Sequence, residues 1–303
     1  CKMSLLVTGS IGIDTVTTPM GKSENCIGGS AVYFAMAASF FSSVRFVGVV
    51  GSDCPFDLAK VFSGRAVDLS GLEVRTGSKT FRWKGSYQGD MSQALTEGMQ
   101  LNVLAEKPPI VPEHFRDSEF VFLANTHPAL QLQLLEQLKA PKFVVADTMN
   151  CWIDSHGDEL AKLLKKIDAL ILNDGEAKRL TKQDNLPIAA QEIIKMGPKI
   201  VIIKKGANGS ISLDKDGKWF MLGGYPSVNL KDPTGAGDSF AGAFMGYLAS
   251  EGRTDSPFIR RAVAYGTVTA SIVIEGFSLS AIASASRSAI DKRLNELKDM
   301  TEF

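Results

Sequence analysis

The sequence predicts an α/β fold in which a mostly parallel sheet is covered by helices on both faces and a small β insertion stands off it. Three observations carry that expectation. Short apolar runs alternate along the chain with helical stretches, the order expected of parallel strands joined by crossover helices. The runs are apolar throughout, as strands are when both faces of a sheet are covered. One segment, Thr80 to Tyr87, changes period: Phe81, Trp83, Gly85 and Tyr87 alternate with Arg82, Lys84 and Ser86. Period two marks a strand with one covered and one wet face, so this part is expected off the main sheet, as a flap.

The elements follow in order. Ser4 to Thr8 is an apolar run ending in small residues at Gly9, and reads as a buried strand. Gly28-Gly29-Ser30 opens an Ala-rich, aromatic helix reaching Phe41. Val44 to Val50 is a second strand, closed by Gly51. Strand and helix then recur as Phe120 to Leu123 with Leu130 to Leu138, Phe143 to Ala146 with Leu160 to Ile167, and Ala169 to Leu172 with Glu176 to Leu180; Ile200 to Ile203 is a further strand. At ~150 residues per domain the length would allow two domains. No repeat, low-complexity tract or long linker divides the chain, so residues 1–303 are expected to form one domain with a small β insertion.

Composition limits the function. The 303 residues carry 33 Lys+Arg against 33 Asp+Glu, and 45% are hydrophobic. A surface built to hold nucleic acid or an anionic membrane needs a surplus of Lys and Arg; a local phosphate pocket does not. The four cysteines, Cys1, Cys26, Cys54 and Cys151, form no C-x-x-C pair, which argues against a disulfide framework or structural zinc and for reduced thiols in the cytoplasm. Met3 reads as a natural start, with Cys1 and Lys2 added ahead of it. There is no secretory signal pattern and no run near the ~20 apolar residues of a membrane span. A soluble, cytoplasmic protein is expected.

The strongest local signal runs from Lys231 through Asp232-Pro233-Thr234-Gly235-Ala236-Gly237-Asp238 to Phe244. Gly235, Ala236 and Gly237 let the backbone approach a ligand closely, and Phe240, Phe244, Tyr247 and Leu248 recur at helical spacing. The free N–H groups and positive dipole end of that helix make an anion site. Asp238 at its mouth is either a base that takes a proton from a nucleophile attacking a bound phosphate or an ordinary N-terminal capping residue. Spacing alone leaves both readings open. Asn173-Asp174-Gly175-Glu176 emerges where a strand ends, the edge at which open α/β sheets bind ligands. Glu176 there would hold Mg²⁺ through waters, or the segment would only cap a helix. Gly21-Lys22-Ser23 lacks the earlier glycine of a P-loop, Gly9-Ser10-Ile11-Gly12 lacks dinucleotide spacing, and Asn208-Gly209-Ser210 reads as a turn. His114, His127 and His156 lack ligand spacing.

Together these residues resemble the ribokinase-like (PfkB) family of carbohydrate and nucleoside kinases over nearly the whole chain. Asp232 to Phe240 is its specific carboxyl-terminal signature, Gly28-Gly29-Ser30 its amino-terminal one and Asn173-x-x-Glu176 a third element. The resemblance implies a three-layer α/β/α domain with a β lid formed by segments near 13–27 and 76–106. It implies that Asp238 is the base, with the N–H groups of Gly235, Ala236 and Gly237 as the anion hole; an Asp with a pKa near ~4 is already ionised at pH 7. Asn173 and Glu176 would organise Mg²⁺ beside ATP. Asp14 would grip acceptor hydroxyls, with Gly28 and Gly29 closing on the same substrate. Asp232 and Thr234 would sit near a monovalent cation, which raises potassium activation. Gly206 and Gly209 would line the nucleotide, and the segment from Tyr265 to Gly276 would flank the adenine.

Two departures stand out. Tyr33 lies where ribokinases and adenosine kinases carry Asn, so it would meet the acceptor with one hydroxyl and a ring face. Lys204 stands where relatives often have Thr, either neutralising phosphate or lying along the surface. The aromatic residues of the flap, Phe81, Trp83 and Tyr87, would close over an acceptor such as a nucleoside base or pack against the lid of a second subunit. The reading is an ATP- and Mg²⁺-dependent kinase of a small sugar or sugar derivative, closing its lid to exclude water, with a small-molecule acceptor, no nucleic-acid or membrane partner, and a homodimer through the lid. The alternatives are a nucleoside kinase and a non-catalytic nucleotide- or sugar-binding regulator on the same fold, since a fold does not establish an activity. An intact Asp238 favours the enzyme.

Overall fold

The computed structural model of the chain describes residues 3–302; Cys1, Lys2 and Phe303 lie outside the described residues. Its strands are β1 (Leu5–Thr8), β2 (Gly12–Thr18), β3 (Gly21–Gly28), β4 (Val44–Gly51), β5 (Val67–Arg75), β6 (Phe81–Tyr87), β7 (Ala94–Gln100), β8 (Phe120–Leu123), β9 (Phe143–Ala146), β10 (Ala169–Asn173), β11 (Ile200–Lys204), β12 (Ser210–Asp214) and β13 (Trp219–Leu222). Nine form one sheet, in the order β13-β12-β11-β10-β9-β8-β1-β4-β5. From β5 across to β11 every pair is parallel, and only the outermost strands β12 and β13 run antiparallel.

Both faces of this sheet are covered because its inner strands are apolar on both. Leu5 and Val7 of β1 enter one core and Leu6 the other; Phe120 and Phe122 of β8 oppose Val121 and Leu123; Ala169 and Ile171 of β10 oppose Leu170 and Leu172. The first core is closed by the helices Ser30–Ala38, Ala236–Glu251, Ser256–Val273 and Arg287–Thr301. Pro128–Leu135, Gly157–Leu164, Asp174–Thr181 and Leu186–Met196 close the second. This is the three-layer α/β/α arrangement that the sequence predicts. Helix ends differ by a few residues. The helix expected at 130–138 begins at Pro128, where His127 caps it by accepting the Ala129 N–H at Nδ1 (3.1 Å), and proline suits a first helical turn. The helix opened by Ser30 stops at Ala38 and gives way to turns.

The remaining four strands form a separate sheet, β3-β2-β6-β7. Its hairpins β2–β3 and β6–β7 are antiparallel and join through a parallel β2–β6 pair. β7 is exposed along its whole length. No helix of the described residues is long and apolar enough to cross a membrane.

Helix Ala236–Glu251 is buried at every residue from Ser239 to Ala249, as helix Ser30–Ala38 is along its whole length. It lies against helix Ser30–Ala38 through glycines: a Cβ on Gly242 would overlap the Phe34 carbonyl, and one on Gly246 would come within 2.8 Å of the Ala38 carbonyl. Gly242→Ala is therefore expected to destabilise the protein by about 1–3 kcal/mol through overpacking, despite the up to ~1 kcal/mol that Ala gains over Gly in a helix. A midpoint in urea unchanged from wild type would show that the helices can part at no cost.

Candidate active site

Parallel strands end along one edge, and in this sheet that edge carries the polar groups. Asp147 and Thr148 follow β9, Asn173 ends β10, and Lys204 ends β11 beside Asn173 in register. Facing them is the N-terminus of helix Ala236–Glu251. Gly235 there takes φ 76°, a left-handed conformation that costs glycine least, and a Cβ on it would overlap the Tyr33 ring. The Ala236 N–H is held by the Pro233 carbonyl at 3.1 Å. Gly237 has no side chain where the Lys204 ammonium lies; a Cβ would sit 2.5 Å from Nζ.

Asp14, on β2, is buried. Its carboxylate occupies the space a Cβ on Gly28 would need, and the Gly29 N–H bonds to it. Its Oδ1 has no hydrogen-bond partner among the described residues. Burial, reinforced by the charges of Asp238 and Asp232, pushes its carboxyl up to about 7. Gly29 itself has φ 100°, with the Ser10 carbonyl where a side chain would stand. The Ser10 and Ser30 hydroxyls pair at 3.0 Å and pin this turn to the start of the helix. Tyr33 is buried between the two halves of the site; burial and the carboxylates of Asp14, Asp232 and Asp238 keep its phenol protonated. Asp14, Gly28, Gly29 and Tyr33 are thus brought together with Gly235, Ala236, Gly237 and Asp238.

Asp238 does not keep the ordinary acidity that its sequence context suggests. Burial raises its carboxyl, and the Lys204 ammonium and its own backbone N–H only partly offset that. Asn173 and Glu176 form a reciprocal capping box: Asn173 Oδ1 accepts the Glu176 N–H at 2.8 Å and Glu176 Oε2 accepts the Asn173 N–H at 2.7 Å. The capping role weighed from sequence is therefore real, and it fixes a buried carboxylate at the sheet edge. Burial raises the Glu176 carboxyl, with Lys204 the first opposing influence. Asp147 is a residue that the sequence reading missed. It is buried, its Oδ1 has no partner among the described residues, and burial and Asp238 hold its carboxyl well above the usual range. The signal was present, since Asp147 follows its strand as Asn173 ends the next one.

Asp232 braces the loop ahead of the helix: Oδ1 accepts the Thr234 N–H at 2.9 Å and Oδ2 the Ser278 N–H at 3.4 Å. The Lys231 and Asp232 N–H groups both bond the Ile274 carbonyl, which brings the segment at Gly276 to this loop. Gly206 opens a short 3-10 turn after Lys204, and Gly209 closes it against the backbone of residues 222–224. The small sheet also reaches the loop. Thr18 donates to the Lys231 carbonyl at 2.8 Å, Thr234 to the Tyr87 hydroxyl at 3.3 Å, and Ser278 to the Ile27 carbonyl. Tyr87 thus faces its own chain. So does Phe81, which lies against Gly12, while Trp83 covers Gly85 and donates to Thr96 at 3.1 Å. His127 meets the Trp152 ring tilted and His156 meets it edge-on, and His114 pairs with Ser70.

The profile of the pfkB family of carbohydrate kinases matches residues 12–285. The chain belongs to that family. A cytidine kinase from Thermococcus kodakarensis is 30% identical over 257 residues, 83% of this chain and 90% of that protein. Among solved structures, a Burkholderia thailandensis nucleoside kinase in complex with inosine is 18% identical with a TM-score of 0.79, covering 97% of each chain. Arabidopsis thaliana ribokinase complexed with ribose and ATP is 21% identical with a TM-score of 0.75, covering 97% of this chain and 99% of its own. As a pfkB kinase the chain is a phosphotransferase with a hydroxyl acceptor, of the sugar or nucleoside kinase type.

The raised carboxyl of Asp14 has a consequence for stability. Its folded value of about 7 exceeds the ordinary 3.8, so between those values the native state binds more protons than the unfolded chain. Stability is then lost as pH rises through that window. Asp14→Asn should remove this slope and exceed wild type above pH 7 by a few kcal/mol, at ~1.4 kcal/mol per pKa unit, with the gap closing toward pH 4. Urea melts of both proteins across that range, without ligand, check it; parallel curves would place Asp14 in water.

Proposed function

We propose that the protein transfers the γ-phosphoryl group of ATP to a hydroxyl of a small sugar or sugar derivative, with Mg²⁺. The observation that carries this reading is the meeting of two groups at one edge: an acceptor grip, Asp14 with an unspent oxygen, and a helix N-terminus bearing Asp238. Asp14 would accept hydrogen bonds from the acceptor, and Asp238 would take the proton of the attacking hydroxyl. The Gly235 and Gly237 N–H groups, joined by that of Ala236 on release from the Pro233 carbonyl, would hold the transferring group, because phosphoryl transfer asks mostly for positioning and charge stabilisation. Gly206, Gly209 and Gly276 would line the nucleotide.

The oxygen donors fit magnesium. Glu176 and Asp147 are buried carboxylates with raised values and oxygens not spent on hydrogen bonds. Among the described residues no three acidic, His or Cys groups cluster as direct ligands, which suits an ion that keeps much of its water shell. An ion held by these carboxylates would supply positive charge against the phosphates of ATP. Glu176, oriented by Asn173, would hold it through water. Asp232 and Thr234 would border a monovalent cation, since the second Asp232 hydrogen bond is long, at 3.4 Å. The β3-β2-β6-β7 sheet would be the lid, with Tyr87 reaching Thr234 when it is shut.

A second reading, a nucleoside kinase, is favoured by the likeness to cytidine kinase and by the ring of Tyr33 at the acceptor side. ATP consumption measured against pentoses, hexoses, sugar acids and nucleosides, in potassium and in sodium salts, separates the two. Turnover with free sugars supports the first reading and turnover with nucleosides alone the second; no turnover with any acceptor would sink both and leave a binding regulator. Asp238→Asn should lower kcat by roughly 10²- to 10⁴-fold, the usual worth of a general base, while calorimetric ADP binding stays near wild type. Undiminished kcat would remove Asp238 from the proton's path.

A further inference from the structure

Lys204 is the residue whose position in the fold carries more than its place in the sequence. It ends β11, half-buried, with Asn173 on the adjoining strand. Its stem crosses toward the helix N-terminus rather than out to solvent, and its ammonium lies in the space left by Gly237. That ammonium lowers the carboxyl values of Asp147, Glu176 and Asp238 together, against the burial that raises all three. Among the described residues Lys204 is in no ion pair, so its charge is shared by the cluster and its three N–H donors are unspent. A charge at such a site acts through less water than one on the surface and is correspondingly stronger. A compact ammonium on a flexible stem can shift from carboxylates to a phosphate without rebuilding its surroundings.

We propose that Lys204 is a catalytic residue: its ammonium, seated against Gly237, donates to the transferring phosphoryl group when ATP occupies the cradle. This rests on the kinase reading above. In the step itself the acceptor oxygen forms its bond to phosphorus as the bond to the ADP oxygen breaks. ADP departs with that electron pair, and the acceptor's proton passes to Asp238. Lys204 transfers no proton. It lies against Gly237, so an anion on the Gly235–Gly237 N–H groups would meet donors from two sides. Charge spreading over the equatorial oxygens of the transferring group is what such donors stabilise. The bare Gly237 would then serve twice, in the cradle and as the berth for Nζ.

The test uses Lys204→Met, which keeps the stem and removes the charge, and Lys204→Arg, which restores a cation. With ATP and whichever acceptor wild type uses, Lys204→Met should lose about 10²- to 10³-fold in kcat, as when one preorganised donor is removed, while the KM for ATP moves less than about threefold. Lys204→Arg should recover part of that loss. Without the ammonium the Asp238 carboxyl rises further, so the acidic limb of the kcat profile should move to higher pH. Calorimetric binding of inorganic pyrophosphate, which needs no turnover, should weaken by about tenfold or more, the ~1.4 kcal/mol of a lost charged contact. A kcat within twofold of wild type overturns the proposal. So does a fall in kcat with an unmoved pH limb and unchanged pyrophosphate affinity, which would make Lys204 a structural residue. If Lys204→Met melts early, the Arg variant decides: full folding with no better kcat or pyrophosphate affinity than Met rejects the role. If wild type turns over no acceptor yet the pyrophosphate difference stands, the kinase reading fails and the anion contact survives.

Discussion

The contact on which the rest depends is the close approach of helix Ser30–Ala38 to helix Ala236–Glu251. No side chain separates the Phe34 carbonyl from Gly242 or the Ala38 carbonyl from Gly246. The two helices start at the same edge of the sheet, so this approach brings their N-termini together. With them come Gly29 and Tyr33 from one and Gly235 and Asp238 from the other. Interiors at this density do not deform continuously, and the proposed acceptor grip and anion cradle would be held as one unit. For a reaction whose catalysis lies in alignment, that rigidity is itself chemical.

The second constraint is electrostatic. Asp14, Asp147, Glu176, Asp232 and Asp238 are all held above their ordinary values, each chiefly by burial. Such a concentration of acids is costly to the fold, and groups that bind the folded state alone repay that cost by mass action. It sits in a chain with equal numbers of acidic and basic residues. On the proposed reading the positive potential for phosphate would be local, from a helix end, backbone N–H groups and one lysine, and would need no surplus of surface cations.

The small sheet joins these two halves. β2 carries Asp14, and Thr18, Tyr87 and Ile27 tie the sheet to Lys231, Thr234 and Ser278 around the anion loop. Of the aromatic face that sequence periodicity marks as covered, Phe81 is buried and Trp83 and Tyr87 only half-buried, while Ser86 on the face expected to be wet is buried. The strand bearing Asp14 and the loop ahead of helix Ala236–Glu251 are thereby linked through backbone carbonyls and hydroxyls, groups whose partners cannot be read from a linear pattern.

Much of this molecule was legible in the sequence. A strand buried on both faces has to be apolar at every position, so Phe120 to Leu123 and Phe143 to Ala146 stood out with their true bounds. A backbone that must approach another group closely has to use small residues, which exposed Gly28, Gly29 and Gly235 to Gly237. Helix ends were less legible, because caps such as His127 act through one hydrogen bond that composition does not mark. Asp147 escaped notice because an acid after a strand is common and acquires meaning only from the charges opposite it. Lys204 could have turned either way, its stem being long enough for the surface or the cradle. The sequence by itself determined the fold and the glycine loop ahead of helix Ala236–Glu251, since both rest on local patterning. The acidity of Asp14 and Asp238 and the direction of Lys204 were decided only by tertiary structure, because desolvation and Coulomb forces depend on distances in space that residue spacing does not contain.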